Sequence, residues 1–330
     1  MEVPCVRVPR EEGEATRRDL AEADLIADDR EIRVKDGWLY IPVVDSEAVP
    51  AGLAVVSREV PVRETQTTPA DLLGFDPSYE RIGDVALLDE DDPERADRIA
   101  RAIVESDLPV GTVLNKASKV KGETRVRDWE LLAGEGTETV HREYGFEYAL
   151  DLATVYFSPR LATERHRVTE QIVDDENERV FDMFAGVGPF VIPAAARGAK
   201  AVGVDVNGRA IEYLHENAGR NGVTDRVTAI HGDVREVATE FEGRADRIVM
   251  NLPHSADEFL ATAVSVAGEE CTIHYYDIQH DQDPFGPSEK AIRDAASEAG
   301  YDVEILTRHV VRSYAPHELN VCLDVRLSRA

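Results

Sequence analysis

The sequence predicts an α/β protein whose C-terminal half is an open, mostly parallel sheet with helices on both faces. Strand-like and helix-like segments alternate regularly after residue 166, as in βαβ units. Only Tyr314 to His317 separate the last two strand-like segments, which predicts an antiparallel pair at one edge. Before residue 166 helices and strands follow no such period. We therefore expect a Rossmann-like domain with a seven-stranded sheet and an antiparallel last strand, an α+β middle domain and a small N-terminal domain.

The small N-terminal domain is predicted over residues 1–66. Residues 11–27 are rich in charged, helix-forming side chains and predict a helix. Two strand-like segments follow on either side of Asp36-Gly37, a dipeptide typical of hairpin turns. The polar run TQTTP at residues 65–69 indicates a linker, so we expect the domain to end there.

The middle domain is predicted over residues 67–165 and the C-terminal domain over residues 166–330. Apolar runs bounded by glycine, proline and acidic residues give the elements of both domains. In the middle domain the expected strands are 81–88, 110–114 and 148–156, with a helix at 92–105. In the C-terminal domain the expected strands are 179–184, 201–206, 227–232, 247–252, 271–278, 303–313 and 320–327, and the expected helices are 189–197, 209–221, 234–241, 255–267 and 288–300. Asn207 should cap the second of these helices and Asn221-Gly222 should end it.

Length and composition exclude several classes of protein. A chain of 330 residues can hold two or three domains, and no apolar run approaches the roughly 18 residues of a membrane span. The N-terminus lacks the apolar segment of a secretory signal. Cys5, Cys271 and Cys322 are few and far apart in sequence; they make no metal-spaced pair and do not indicate a disulfide framework. We expect a cytoplasmic protein, a monomer, with no membrane partner and no metal.

The net charge of -28 is extreme for a chain of this length. Only 6 of the 37 basic residues are lysines. Acid excess with scarce lysine is typical of a halophilic, high-salt cytoplasm, where charge keeps the chain hydrated. Because molar salt screens charges beyond about 3 Å, this charge does not exclude a nucleic-acid partner. An acidic surface that repels phosphates is the alternative interpretation.

The turn FAGVGPF at residues 184–190 predicts a nucleotide-cofactor pocket. Gly186 and Gly188 carry no Cβ and let the backbone approach a ligand closely. A dinucleotide fingerprint would place a third glycine where this chain has Val191. Pro189, at the predicted helix start, leaves no row of free N–H groups for a pyrophosphate. An adenosine cofactor without phosphates fits better, and S-adenosylmethionine is the common one.

Three carboxylates end successive strands of the predicted sheet: Asp182, Asp205 and Asp233. Ligands of open α/β sheets lie across the carboxyl ends of the strands. Asp205 is expected to hold the ribose hydroxyls, and Asp233 to accept from the adenine amino group. Asp233 also stands where it can cap the helix that follows, and it can do both. The predicted sheet, with seven strands and a reversed final hairpin, has the layout of class I methyltransferases.

The fourth predicted strand ends in Asn251-Leu252-Pro253-His254. Amino-group methyltransferases carry Asp/Asn-Pro-Pro-Tyr/Phe at this place, where the polar side chain holds the nitrogen that is methylated. The alternative is an ordinary strand-to-helix turn. Since His254 replaces the aromatic residue that stacks on a flipped group, the tetrapeptide argues against a plain exocyclic amine of adenine or glutamine as the target.

A basic segment stands out in the middle domain. Lys116, Lys119 and Lys121 are half of all lysines in the chain, and Arg125 and Arg127 follow closely. In a chain this acidic, such a segment is typical of phosphate contacts with a nucleic acid. A solvated basic loop that offsets the acidic surface is the alternative.

Four motifs together resemble one family. They are YFSPRL from Tyr156, DMFAGVGPF from Asp182, NLPH from Asn251 and SYAP from Ser313. This combination is similar to the archaeal and eukaryal tRNA (guanine(37)-N1)-methyltransferases, from about residue 110 to the C-terminus. Residues 1–66 resemble the small tRNA-elbow-binding domain of that family only in size and place.

The resemblance implies methyl transfer from S-adenosylmethionine to N1 of guanosine 37 in the anticodon loop of tRNA, with the guanine flipped out of its stack. Guanine N1 carries a proton at neutral pH, so a base is needed. By resemblance Glu164 is that base, and Arg125 stabilises the negative charge that develops on O6. Arg127 is the alternative match for the O6 donor. Asn251 positions the guanine edge.

The expected site residues fall into three sets. The catalytic set is Glu164, Arg125 and Asn251. The cofactor set is Tyr156, Asp182, Phe184, Gly186, Gly188, Asp205, Val206, Asp233, Val234, Asn251 and Pro253. The RNA set is Lys116, Lys119, Lys121, Arg127 and Arg160.

Three other classes of function remain as alternatives. A wyosine-pathway tRNA transferase would move the aminocarboxypropyl group or methylate a ring carbon of the tricyclic precursor; residues 251–253 argue against the aminocarboxypropyl reaction. A protein or DNA amino-group methyltransferase would carry Pro-Pro-Tyr and would not need the basic segment. A non-catalytic RNA-binding module would not need the strand-end acids.

Overall fold

The structure, a computed structural model, describes residues 2–63, 66–119, 122, 124–172 and 178–330. Contacts divide the chain into two units, Met1–Thr68 and Pro69–Ala330. Thr65 of the expected linker lies outside the described residues, and a short helix, α2 (Pro69–Leu73), begins at its last residue. The expected boundary between residues 165 and 166 lies inside the second unit and stays a prediction.

The first unit is an antiparallel sheet with one helix. Its elements are β1 (Glu2–Pro9), α1 (Gly13–Glu22), β2 (Arg33–Lys35), β3 (Trp38–Pro42) and β4 (Ala54–Glu59), and the strand order is β2-β3-β1-β4. Asp36 and Gly37 have φ values of 53° and 80°, which confirms the expected hairpin turn. The helix is shorter than expected because Asp24, at φ 54°, ends it, and Leu25 then enters the core beside Leu20.

The N-terminal part of the second unit contains two small sheets. Their strands are β5 (Glu80–Ile82), β6 (Val85–Leu88), β7 (Thr112–Lys116) and β8 (Trp129–Ala133) in one sheet, and β9 (Glu138–Glu143) and β10 (Phe146–Asp151) in the other. The single strand expected at 81–88 is wrong: Gly83-Asp84 is a two-residue turn between β5 and β6. The helix α3 (Pro93–Glu105) begins as expected, because the Asp92 side chain accepts from the backbone N–H groups of Glu94 and Arg95.

The C-terminal part is built on a seven-stranded sheet with the order β13-β12-β11-β14-β15-β17-β16. The strands are β11 (Arg179–Asp182), β12 (Lys200–Asp205), β13 (Val227–His231), β14 (Ala245–Met250), β15 (Ala267–His280), β16 (Tyr301–Ala315) and β17 (Glu318–Arg329). The pairs among β11 to β15 are parallel, and β17 runs antiparallel between β15 and β16. This confirms the Rossmann-like sheet with an antiparallel last strand.

The helices of this part are α4 (Ala162–Thr169), α5 (Val191–Ala196), α6 (Gly208–Arg220), α7 (Val234–Val237), α8 (Leu260–Val266) and α9 (Gly286–Glu298). The Asn207 side chain accepts from the Arg209 N–H and caps α6, which ends at Asn221 with Gly222 at φ 69°. The helix expected from Pro189 begins two residues later, at Val191. Among the described residues no helix is long and apolar enough to cross a membrane.

Burial explains why the central strands are apolar without alternation. Phe181, Ile248 and Ile273 on β11, β14 and β15 are all buried between helices. The edge strand β16 alternates between exposed and half-buried residues along most of its length. The strand order brings the carboxyl ends of β13, β12, β11 and β14 side by side, and the polar residues expected from the sequence follow these ends.

Candidate active site

A cavity of about 1240 Å³ opens at the carboxyl edge of the parallel strands, within the second unit. The loops after β7 and β10 form one wall, and the turns after β11, β12, β13 and β14 form the other. Many of the expected site residues line it: Lys116, Lys119, Arg125, Arg127, Tyr156, Phe184, Gly186, Asp205, Val206, Asp233, Val234 and Asn251. The fold therefore joins the glycine turn to the basic segment in one cavity.

Asp205 is held in a fixed orientation at the end of β12. Its Oδ2 accepts from the Gly186 N–H at 2.7 Å, and its Oδ1 accepts from the Asn207 N–H at 2.8 Å. Burial raises the pKa of this carboxyl, and the two backbone hydrogen bonds oppose that effect. Since each carboxylate oxygen has two lone pairs, Asp205 can still accept from hydroxyl groups of a ligand in the cavity.

Asp233 is already engaged by its own helix. Its side chain caps α7 by accepting from the Arg235 N–H at 2.9 Å, and the Arg235 guanidinium also binds the carboxylate. Arg235 lowers the pKa of Asp233 below its ordinary value. The capping role is thus observed, while the contact with an adenine amino group stays a prediction.

Glycine is required at the two positions of the turn for different physical reasons. Gly186 has φ 53° and nothing lies within 4 Å of the place that a Cβ would take, so its backbone borders open space in the cavity. Gly188 has φ 93° and does not line the cavity; a Cβ there would collide with the Leu214 side chain on α6. Gly188 therefore makes room for helix packing, whereas close approach to a ligand was expected of both.

Asp182 lies beneath the turn, outside the lining of the cavity. It is fully buried, and its Oδ1 accepts from the Phe184 N–H at 3.2 Å. Its Oδ2 has no hydrogen-bond partner in the part of the chain that the structure describes. Burial, and secondarily the nearby Asp205 carboxylate, raise the pKa of Asp182 to about 7.

The other half of the cavity is cationic and aromatic. The Arg125 guanidinium lies 5.2 Å from the centre of the Tyr156 ring, and the Arg127 guanidinium lies 5.4 Å from that of Trp129. His254 Nε2 is 3.1 Å from the Tyr314 hydroxyl. Burial, and then the charge of Arg125, lower the pKa of His254, so this imidazole is neutral at pH 7. Planar groups and a cation thus border Asn251, which suits a purine base.

Glu164 is buried on α4 and does not line the cavity. Arg167 donates to both of its carboxylate oxygens at 2.8 Å, and the Tyr276 hydroxyl donates to Oε1 at 2.8 Å. His309 Nε2 lies 3.3 Å from Oε2. Phe190, which lines the cavity, packs on Tyr276 with ring centres 6.0 Å apart. The carboxylate therefore lies one layer behind the cavity wall.

Two further expected residues, Pro253 and Arg160, also lie outside the lining. Pro253 accepts from the Ile278 N–H at 3.1 Å through its carbonyl, which ties the 251–254 turn to β15. Arg160 pairs with Glu80. Lys121 lies outside the described residues.

Several residues of the cavity were not expected from the sequence: Arg165, Phe190, Arg235, Glu258, Phe259 and Tyr314. Phe190 and Tyr314 belong to motifs that the sequence offered. Phe259 packs edge-on against Phe184 at 5.0 Å, and Arg235 lies 5.1 Å from its ring centre. These contacts join segments from three different turns, so no local sequence pattern predicts them.

The residues that line this part of the cavity fit an adenosine cofactor such as S-adenosylmethionine. The carboxylate of Asp205 offers acceptors for two hydroxyls, and the open backbone at Gly186 leaves space beside it. Apolar side chains of Phe184, Val206 and Val234 line the same region and can enclose a purine ring.

Comparison with known proteins identifies the family. Residues 139–305 match the TRM5/TYW2 methyltransferase domain, residues 5–50 the tRNA methyltransferase 5 N-terminal domain, and residues 65–137 the TYW2 N-terminal domain. The chain is 43% identical to the tRNA (guanine(37)-N(1))-methyltransferase Trm5b of Pyrococcus abyssi, over 98% of this chain and 99% of that protein. It is 37% identical to the tRNA(Phe) (4-demethylwyosine(37)-C(7)) aminocarboxypropyltransferase of Pyrococcus horikoshii, over 84% of this chain and 96% of that protein.

Solved structures agree with these sequence matches. The chain resembles aTrm5 in its complex with tRNALeu with a TM-score of 0.73, at 33% identity over 98% of this chain and 99% of that one. It resembles Methanocaldococcus jannaschii Trm5 in complex with adenosine with a TM-score of 0.67, at 31% identity over 99% of this chain and 100% of that one. The chain therefore belongs to the TRM5/TYW2 family of methyltransferases.

Proposed function

We propose that this protein transfers the methyl group of S-adenosylmethionine to N1 of guanosine 37 in tRNA. The observation that carries the proposal is that Asp205, Gly186, Arg125 and Asn251 all line one cavity. One part suits an adenosine cofactor and the other a flipped purine. The similarity to Trm5b over nearly the whole chain supports the same reaction.

The chemistry requires a base and a cation. S-adenosylmethionine supplies an electrophilic methyl group and leaves as S-adenosylhomocysteine. Guanine N1 loses its proton to Glu164, and its electron pair forms the new bond to the methyl carbon. Negative charge that develops on O6 is stabilised by Arg125, with Arg127 as the alternative donor. Asn251 holds the guanine edge at the end of β14.

Glu164 has to meet the guanine for this role. A general base acts within about 2.6–3.2 Å of the proton it takes, and such contacts often form only when substrate is bound. Leu161 and Arg165, on either side of Glu164 in the chain, line the cavity. The proposal therefore includes a rearrangement of Glu164 or Phe190 when tRNA enters.

The remaining predicted contacts divide between cofactor and RNA. We assign the cofactor to Asp205, Asp233 and the turn that Asp182 supports from beneath. We assign phosphate contacts to the basic residues Lys116, Lys119, Lys121, Arg127 and Arg160. Lys116 is paired with Asp89 at 2.8 Å, an ion pair that a phosphate would have to replace.

We also propose three domains and a cellular setting. Residues 1–66 bind tRNA, residues 67–165 contact the anticodon loop, and residues 166–330 bind the cofactor. The match of residues 5–50 to the tRNA methyltransferase 5 N-terminal domain supports the first assignment. The acid excess and scarce lysine support a cytoplasmic monomer that works in high salt.

Base mapping tests the reaction directly. The protein is incubated at high salt with labelled S-adenosylmethionine and tRNA transcripts that carry guanosine or adenosine at position 37. We expect labelled N1-methylguanosine at position 37 of the guanosine transcript and no label in the adenosine transcript. Methylation of the adenosine transcript, or label at another position, would contradict the proposal.

Aminocarboxypropyl transfer is the second candidate, because a relative of that activity is 37% identical. Two observations favour methyl transfer: Asn251 of the Asn-Leu-Pro motif lines the cavity, and residues 5–50 match the tRNA methyltransferase 5 N-terminal domain. Mass spectrometry of nucleosides after incubation with unmodified tRNA, or with tRNA carrying the tricyclic precursor, separates the two groups and also reveals C-methylation.

A further inference from the structure

A chain of ionisable side chains, most of them buried, runs from Glu164 through the sheet. Arg167 on α4 connects Glu164 to Asp324 on β17, and Asp324 contacts His274 on β15. Arg247 on β14 contacts the other side of His274. The Asp324 and His274 side chains are almost fully buried, so water does not screen these contacts.

Arg167 divides its donors between two carboxylates. Its Nε and Nη2 donate to Glu164 at 2.8 Å, while its Nη1 donates to Asp324 Oδ2 at 2.6 Å and Nη2 also reaches Asp324 Oδ1 at 3.1 Å. One guanidinium charge thus faces two carboxyl groups. If both are ionised, Glu164, Arg167 and Asp324 together carry one excess negative charge.

Asp324 is the member that stays ionised. His274 Nδ1 lies 2.7 Å from its Oδ1, and Gln171 Nε2 donates to its Oδ2 at 3.1 Å. Although burial acts in the opposite direction, His274 and Arg167 hold the pKa of Asp324 far below its ordinary value.

The neighbouring imidazole is fixed in one neutral form. Arg247 Nη1 approaches His274 Nε2 at 2.7 Å, and an arginine can only donate. His274 Nε2 therefore accepts, and its Nδ1–H donates to Asp324. Burial lowers the pKa of His274, in agreement with a neutral ring. No proton is left in this part of the chain to cancel the charge of Asp324.

The other groups that face Glu164 do not take over the role of Asp324. Tyr276 on β15 and Cys322 on β17 are buried, and burial raises the pKa of each well above its ordinary value, so both are neutral. His309 on β16 is partly exposed and lies 3.3 Å from Oε2. Arg167 is thus the permanent cation beside Glu164, and Asp324 is the anion that competes with Glu164 for the Arg167 guanidinium.

We propose that Asp324 sets the basicity of Glu164 by occupying half of Arg167. The inference rests on the proposed role of Glu164 as the base. If Arg167 served Glu164 alone, the guanidinium would stabilise the carboxylate fully and make it a poor proton acceptor. With Asp324 in competition, Arg167 holds Glu164 in place while part of its guanidinium stays committed to Asp324. Asp324 is therefore a positioning residue that never touches the substrate.

The test is the pH profile of single-turnover methyl transfer with saturating S-adenosylmethionine and tRNA. Asp324→Asn should move the acid limb to lower pH by about one unit and lower the plateau rate. Arg167→Met should move the acid limb to higher pH by about one unit or more. Arg167→Lys keeps the charge and should leave the limb closer to that of the wild type.

Asp246→Asn is the matched control. Asp246 also binds an arginine in the same sheet, Arg179, with Nη2 to Oδ1 at 2.7 Å, but it lies at the start of β14, away from the cavity. Its variant should keep the wild-type profile. Cofactor affinity, measured by calorimetry, should stay unchanged in the control and in the Arg167 and Asp324 variants, since none of these residues lines the cavity.

The outcomes separate the two proposals. If Glu164→Gln keeps the wild-type rate, Glu164 is not the base and the proposed mechanism fails. If Glu164→Gln is inactive but Arg167→Met and Asp324→Asn lose rate with an unmoved acid limb, the network is only structural and this inference is overturned. If Asp324→Asn does not fold, the Arg167→Met profile decides alone: an unmoved limb overturns the inference.

Discussion

In the proposed function, the binding of the cofactor depends on Asp205. It is placed by two backbone N–H groups, from Gly186 and Asn207, and it borders the cavity at the end of β12. A hydrogen bond to a charged acceptor contributes about 1.5–3 kcal/mol. Loss of this carboxylate should therefore cost at least about tenfold in cofactor affinity.

We predict that Asp205→Ala weakens the binding of S-adenosylmethionine by at least about tenfold, measured as Kd by calorimetry. Asp246→Ala, which removes a carboxylate from the start of β14, should leave Kd unchanged. Equal affinity of Asp205→Ala and the wild type would exclude Asp205 as the ribose ligand.

Asp182 gives the structure a pH dependence of its own. Its pKa is about 7 in the fold, against an ordinary value of 3.8, because the carboxyl is fully buried. The folded state therefore binds the proton more tightly than the unfolded state. The stabilisation is complete below about pH 4 and is lost as pH rises through about 7, with a total of at most about 4 kcal/mol.

Asp182→Asn should remove this part of the pH dependence. The free energy of unfolding, measured by urea titration at several pH values, should fall between about pH 4 and 7 in the wild type and fall less in the variant. Asp246→Asn serves as control. Arg179 keeps the pKa of Asp246 low despite burial, so the stabilisation by Asp246 is fully present above about pH 4 and is lost only at more acid pH. A variant with the wild-type slope would show that Asp182 is ionised throughout.

At the scale of elements, the turn between β11 and α5 combines a glycine that packs against α6, Gly188, with a glycine that lines the cavity, Gly186. Gly188→Ala should lower the free energy of unfolding by several kcal/mol, since it adds strain at φ 93° and displaces Leu214 on α6. Gly186→Ala meets open space, so its stability cost should be about 1–2 kcal/mol, from backbone strain alone. Because Gly186 lines the cavity and Gly188 does not, Gly186→Ala should weaken cofactor binding more than Gly188→Ala does.

Denaturant titration and calorimetry on both variants measure this contrast. Leu214→Ala offers a control, because it removes the side chain that the new Cβ meets. Although the loss of this buried leucine is itself destabilising, Gly188→Ala should cost less in the Leu214→Ala background than in the wild type. The reverse order, with Gly186→Ala less stable and Gly188→Ala weaker in cofactor binding, contradicts the assignment.

Elements with their own local signals were predictable from the sequence. Asp92 and Asn207 cap their helices because the capping contact involves residues two or three positions further on. The strand expected at 81–88 failed because its apolar run continues through a two-residue turn. β8 and β9 were missed, since β8 is largely exposed or half-buried and β9 is mostly polar. Pairing with β7 stabilises β8, and a hairpin with β10 stabilises β9.

The candidate site divides in the same way. Asp205 and Asn251 were predictable because ligands of open α/β sheets bind at the carboxyl ends of the parallel strands, where both residues stand. The surroundings of Glu164 were not, because Tyr276, His309 and Asp324 come from three strands near the C-terminus. A residue's chemical type can be read from a motif, but its charge environment depends on contacts that only the folded chain makes.

At the scale of the whole molecule, the net charge of -28 acts on every equilibrium. Like charges repel in the folded chain, and salt screens this repulsion within about 10 Å at 0.1 M and about 3 Å at 1 M. The many exposed ion pairs on the described surface contribute little individually, so their loss to screening is the smaller effect.

The free energy of unfolding should therefore rise with KCl concentration at pH 7. Urea titrations from low to molar KCl measure it, and the same series near pH 4.7, the isoelectric point of the sequence, is the control. There the net charge is close to zero, so the dependence on salt should nearly vanish. An equal rise at both pH values would indicate that salt acts through apolar burial or ion exclusion, whereas a fall at pH 7 would mean that the surface ion pairs outweigh the net repulsion.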